Sequence, residues 1–378
     1  MGARLFCIWS QRMNLTVDDN AITFANFIRI SRAELPPPLV SSFVPMLDTV
    51  TSHDDVPQDS MTHAQRARLA EAWSVPVTDG ELESCRRRGV FVTWTTIDER
   101  PHLVRNAPLM PAFMFGRGDI RTASRQCISI VGTRNASDYA ERQTYVFAKY
   151  LVERGIVIVS GGASGIDTFS HKAAVEASVP TIAVMGTGLL RAFPADNANL
   201  FDDIVECGGL LLSEYAPSSQ SKAWKFPERN RVIAAMSKLT LVVEAGLKSG
   251  ALITASFAGT FGRDTCVIPG PLDDGNNEGG HELIRDGATL VTHPRQLLPE
   301  NPGLFDTGYI SEPRIVQARL ALSDAEQRLM QFIPSDGIHP SALCDTAPFP
   351  LSETNALVTI LELKGAISRT HQGTLKPV

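Results

Sequence analysis

The chain lacks any apolar run near the roughly 20 residues that span a bilayer, and Leu5 to Trp9 is far too short for a signal-peptide core. A cytoplasmic protein without a membrane role is expected. Cysteine is scarce. The six residues Cys7, Cys85, Cys127, Cys207, Cys266 and Cys344 include no C-x-x-C pair, which argues against a disulfide framework and leaves buried free thiols as the expectation. The eight histidines show no H-E-x-x-H or clustered spacing, so a metal site has no support. Positive charge is also short. With 35 Lys and Arg against 41 Asp and Glu, the net charge of −6 is incompatible with a surface coated in cations. Any nucleic-acid contact must then be a local patch, which screening over about 10 Å at 0.1 M salt permits.

Two nucleotide signatures are missing as well. Gly186-Thr187-Gly188 has Arg191 where a third glycine would complete G-x-G-x-x-G, and no acidic residue follows at the ribose position. The loop Gly246-Leu247-Lys248-Ser249-Gly250 is no Walker A, because no lysine follows a glycine in it. ATP hydrolysis loses its main support, and no cofactor is expected.

What remains is a globular chain, 43% hydrophobic and 20% charged, whose 378 residues suffice for two or three domains. Residues 1 to about 110 are poorly patterned, with Pro36-Pro37-Pro38 expected to break any helix and helix-like pieces at Thr62 to Trp73 and Gly80 to Arg88. From Cys127 onward short apolar runs alternate with amphipathic segments. Strands are expected at Cys127 to Val131, Ile156 to Ser160, Thr181 to Met185, Leu210 to Ser213, Leu241 to Val243 and Thr265 to Ile268. That alternation specifies an α/β fold, a Rossmann-like, doubly wound, mostly parallel sheet with helices on both faces. Leu298 to Ser311 reads as linker. Ser323 to Glu326 starts a helix with a capping-box pattern, Leu351 to Leu363 is a second helix, and Ala366 to Lys376 suits a two-stranded wing.

In such folds ligands bind beyond the carboxyl ends of the strands, and the loops expected there carry the anion-binding chemistry. Gly132-Thr133-Arg134 lies between a strand and a helix that Asp138 is placed to cap. Its alternative is a tight turn with a solvated arginine. Gly161 and Gly162 belong to a second glycine-rich loop, Ser160 to Asp167, able to cradle phosphate or to serve close packing. Lys222, Lys225, Arg229, Asn230 and Arg231 form the densest basic cluster, interleaved with Trp224 and Phe226. Aromatic faces stack on bases while cations track phosphates, a mixture suited to single strands; the alternative is two core aromatics under a solvated face. Lys248, Ser249 and Gly250 open a helix whose first amides, with the lysine, suit phosphate.

These motifs, taken in order over roughly residues 111 to 295, resemble the core of the DNA-processing protein A family, DprA, also called Smf. Arg100-Pro101-His102-Leu103 and Phe113 to Gly118 resemble the family's lead-in, and Phe193-Pro194 with Asn197 its aromatic-proline turn. The chain departs from the family pattern at Gly162, at Ser164, where a basic residue is usual, and at Asn277 and His281, where Ser and Asn are. The resemblance implies an N-terminal region (1–110) related to helix-hairpin-helix domains, a Rossmann-like DNA-binding core (111–297), a linker (298–320) and a winged-helix-like domain (321–378). It also implies a non-enzymatic single-stranded DNA binder, a homodimer, that loads a RecA-type recombinase in natural transformation. Two rivals stay open at this point. One is a nucleotide sensor using the same cradle; the other is a nucleoside-monophosphate phosphoribohydrolase-like enzyme, whose P-G-G-x-G-T-x-x-E loop is not found at Pro269-Gly270-Pro271.

Overall fold

The computed structural model describes residues 14–273, 275–298, 323–334, 337–349, 354, 357–358, 361, 366–369 and 374–377. The chain divides into two compact units, Met1–Gly308 and Tyr309–Val378.

In the first unit, β1 (Leu15–Thr16) leads into α1 (Ala21–Arg32), whose opening amides at Ile22 and Thr23 donate to the Asn20 side chain. The next helix, α2 (Pro37–Phe43), starts on the prolines expected to break one. Proline suits a first turn, because the N–H it lacks has no intrahelical partner there. Thr62 and Thr78 cap α3 (His63–Ser74) and α4 (Asp79–Arg87), close to the two helical pieces read from the sequence. Then come β2 (Phe91–Thr93), α5 (His102–Arg105) and β3 (Met114–Gly118).

The alternating region runs β4 (Cys127–Val131), α6 (Asp138–Val152), β5 (Val157–Ser160), α7 (Ile166–Glu176), β6 (Thr181–Met185), α8 (Ala198–Glu206), β7 (Leu210–Ser213), α9 (Lys225–Met236), β8 (Leu239–Val242), α10 (Gly250–Thr260), β9 (Asp264–Val267), α11 (Glu278–Arg285) and β10 (Thr289–Leu290). All six strands expected here form, each within two residues of its expected bounds. The central ones, β4 to β7, are buried along their whole length, as aliphatic runs covered on both faces must be.

One ten-stranded sheet results, in the order β1-β2-β3-β7-β6-β5-β4-β8-β9-β10. From β7 to β10 every pairing is parallel, and β3 joins β7 antiparallel, so the N-terminal strands extend the same sheet. Helices α6 and α7 cover one face through Phe147, Leu151, Ile166 and Ala174; α9 and α10 cover the other through Val232, Ile233, Ala251 and Ala255. A third cluster packs Phe24, Phe27, Phe113 and Phe115 against Met185, Phe201 and Leu211. The order matters for function. From β4 the chain winds outward to β7 and then returns to lay β8 on the other side of β4, which opens a crevice between the β4 and β8 loops.

The second unit contains α12 (Asp324–Met330), α13 (Pro340–Thr346) and an antiparallel pair, β11 (Ile367–Arg369) with β12 (Leu375–Pro377). Ser323 and Glu326 close the expected capping box. Leu329, Leu343, Leu361, Ile367 and Leu375 form its core. Of the readings made on this stretch, the linker beyond Leu298 and much of the Leu351 to Leu363 helix lie outside the described residues. Among the described residues, no helix is long and apolar enough to cross a membrane.

Candidate nucleic-acid interface

The crevice at the switch point has a volume of about 650 Å³, and its lining includes Gly132, Thr133, Arg134, Phe226, Arg229, Asn230, Lys248, Ser249 and Gly250. Arg134, Arg229 and Lys248, distant in sequence, thus meet in one cavity, because each follows or flanks a strand end of the same sheet.

The two loops are fastened to each other from below. Thr133 N donates to Glu244 O at 2.8 Å, and the buried Glu244 carboxylate accepts the Ser137 amide at 3.0 Å and the Ser137 hydroxyl at 2.6 Å. Ser137 is the cap of α6, accepting from Ala140 N, so the cap sits one residue before the expected Asp138. Gly132 is a packing requirement: a Cβ there would stand 2.5 Å from Ile166 Cγ1. On the β8 side, the buried Asn277 side chain accepts from Ala245 N at 2.9 Å and donates to Ile268 O at 2.8 Å, tying the loop to the end of β9. His281 accepts from Gly270 N at 3.3 Å, as a polar group of that turn.

The cations divide sharply by partner. Arg134 and Lys248 are exposed at the crevice, and neither has a carboxylate partner among the described residues. The Arg134 guanidinium lies 5.3 Å from the centroid of the Phe226 ring, a cation–π distance. Phe226 in turn faces Phe193, which is 42% exposed, with centroids 5.3 Å apart. Ser249 caps α10, its hydroxyl oxygen accepting from Ala251 N at 3.3 Å, which leaves its own proton to donate.

The other basic residues of the expected site have partners within the protein, and Lys225, Arg229 and Arg231 are buried. Arg231 is 4% exposed and gives both Glu214 oxygens a hydrogen bond at 2.7 Å, with further bonds to Leu109 O and Glu228 O. Lys225 is 1% exposed, donates to Ser219 Oγ at 2.5 Å and pairs with Glu34 at 3.6 Å; burial lowers its pKa. Lys222 is drawn to Glu34 at 3.2 Å. Arg229 reaches the crevice but is only 5% exposed, and its Nη1 donates to Gly161 O at 2.6 Å and to Val184 O. Burial pulls its pKa down to about 10, partly offset by Asp167. Asn230 accepts from Arg229 Nε and donates to Gly250 O, linking α9 to the start of α10.

Gly161 and Gly162 also fall outside the lining. A Cβ at Gly161 would come within 2.5 Å of Arg229 Nη2 and 2.7 Å of Asp167 Oδ2, and one at Gly162 within 2.7 Å of the Phe201 ring. Gly162 O accepts from the buried Asn197. Both glycines are there for close packing. Asp167, Glu214 and Glu34 carry most of this electrostatic sorting, and the sequence reading assigned them no role. Trp224 is 44% exposed and edge-on to Tyr215, beside the amines of Lys222 and Lys225.

The family described as DNA recombination-mediator protein A matches residues 92–301, more than half of the chain. The chain belongs to this family. Every crevice residue lies within the matched range. Among relatives of the recombination-mediator family, the chain is 42% identical over 188 residues to protein Smf of Escherichia coli, an alignment spanning half the length of each. It is 31% identical over 334 residues, 85% of each chain, to a putative DNA processing protein DprA of Mycobacterium tuberculosis. The solved structure of DNA processing protein A from Streptococcus pneumoniae superposes with a TM-score of 0.59 at 30% identity, covering 76% of this chain and 99% of that one.

Proposed function

We propose that this chain binds single-stranded DNA in the switch-point crevice and acts there as a recombination mediator without catalytic turnover. The observation that carries the reading is the meeting of Arg134 and Lys248, neither with a carboxylate partner among the described residues, by the start of α10. Cations beside helix-start amides are a phosphate site that needs no catalytic group. The exposed Phe193 and the Arg134–Phe226 pair supply flat apolar faces next to that site, which suit unpaired bases rather than a closed duplex. On this reading the strand's phosphates run from Thr133 and Arg134 to Lys248 and Ser249. Recruitment of a RecA-type recombinase, a second copy of the chain, a role in natural transformation and a winged-helix-like part at 321–378 complete the proposal, carried by family membership.

A mononucleotide would also fit a cavity of about 650 Å³, so the test sets the two ligands side by side. Fluorescence titration of the protein with labelled oligo(dT), a matching duplex and each mononucleotide, at two salt concentrations, decides between them. The proposal expects preference for the single strand and a steep fall with salt. Tight binding of one mononucleotide with weak oligonucleotide binding would move the reading to a sensor.

A further inference from the structure

Among the described residues, Asp167 is the one acidic side chain in the lining of the crevice, and it is 92% withdrawn from solvent at 8% exposure. It stands in the first turn of α7, just after the glycine-rich loop, and its Oδ2 accepts from Gly161 N at 3.1 Å and from Ala163 N at 3.2 Å. Those amides, at the positive end of a helix whose cap residue Gly165 offers no side chain, are the donors an external phosphate would otherwise take. The Arg229 guanidinium comes to the same side of Gly161 as the Asp167 carboxylate, since one Cβ on Gly161 would meet Arg229 Nη2 at 2.5 Å and Asp167 Oδ2 at 2.7 Å. The loop therefore already holds an anion, supplied by the protein itself.

Resting on the crevice being a phosphate site, we propose that Asp167 determines which part of it a phosphate can enter. Its carboxylate fills the amide nest of the Gly161–Ala163 loop and repels a second phosphate, confining the ligand to the Arg134–Lys248 side. The cost to affinity is offset by a defined path: without Asp167 the crevice would present two competing anion positions, one at α7 and one at α10.

Asp167→Asn removes the charge while an amide oxygen can still accept both loop amides; Asp167→Ala also frees those amides. Oligo(dT) affinity and its salt dependence are measured on both variants, with the parent as reference. Inorganic phosphate is titrated in parallel, read by the rise in Tm, which does not depend on DNA. A folded variant is expected to bind oligo(dT) roughly tenfold tighter, with a salt slope about one larger, and to be stabilised by phosphate more than the parent, whose phosphate position is the Arg134–Lys248 side alone. Unchanged or weaker phosphate stabilisation in the folded variants overturns the role of Asp167, as does failure of both variants to fold, which would make the carboxylate a requirement of the structure. A parent that ignores oligo(dT) while the variants gain phosphate binding would remove the DNA reading and leave the role of Asp167 standing.

Discussion

Glu244 and Ser137, 107 residues apart, are joined by two hydrogen bonds, the carboxylate taking the hydroxyl at 2.6 Å and the amide at 3.0 Å. This pair binds the loop bearing Arg134 to the strand end that leads to Lys248. Glu244→Gln replaces a charged acceptor by a neutral amide, whose N–H₂ is satisfied only if the Ser137 hydroxyl turns to accept, at a cost of about 1–2 kcal/mol in stability. Urea denaturation measures that loss. Binding of oligo(dT) by the folded variant is expected to weaken as well, since the two cations lose their fixed spacing.

Arg231→Ala and Arg229→Ala are expected to act on the fold. Removing Arg231 strands Glu214, whose pKa burial already raises, and removing Arg229 leaves the carbonyls of Gly161 and Val184 without their guanidinium donor and takes away a charge that favours the Asp167 carboxylate. Breaking a buried charge pair costs about 3–5 kcal/mol. Thermal denaturation of each variant should show Tm lowered by many degrees, whereas two surface arginines would leave it unmoved.

Acid stability should depend on His171. Its ring is fully buried, with Nδ1 2.9 Å from Thr181 Oγ1 and no partner at Nε2 among the described residues, and burial lowers its pKa from 6.5 to about 3, with Arg229 adding to the effect. The unfolded chain therefore binds a proton below pH 6.5 that the folded chain refuses until about pH 3. Stability attributable to this group is present above pH 6.5 and lost as pH falls between those values, by roughly 1.4 kcal/mol per pH unit. Asp167 and Glu214, raised by burial, titrate in the opposite sense, so the comparison is made between variants. Urea denaturation from pH 7 to pH 4 should show a shallower decline for His171→Gln than for the parent; parallel curves would contradict this.

The sheet was legible because β4, β6 and β7 are short, predominantly apolar runs, which mark strands buried on both faces. The strand Met114–Gly118 was missed: its sequence, MFGRG, holds two glycines and an arginine, and it forms by pairing with β7. A Cβ at Gly116 would collide with the Phe91 ring, so the glycine that hides the strand is required by the neighbouring one. Pro37 hid α2 because a proline signals the start of a helix as readily as its end. At the site, the convergence of Arg134 and Lys248 followed from their places in the loops after β4 and β8, whereas Arg229 reaches the crevice from within α9. Which cations stay free did not. That depends on Glu214, which captures Arg231, and on Glu34, 188 residues from Lys222, contacts that only the folded chain creates.

The central claim is that Arg134 and Lys248 together hold one strand of DNA. Its most direct measurement is the salt dependence of oligo(dT) affinity for the parent, Arg134→Ala, Lys248→Ala and the double variant. Each single change should weaken binding by about 1–3 kcal/mol and lower the salt slope by about one, and the double variant should lower it by about two, with Tm nearly unchanged because both side chains are exposed. Affinity and slope equal to the parent's in the folded double variant would contradict the account.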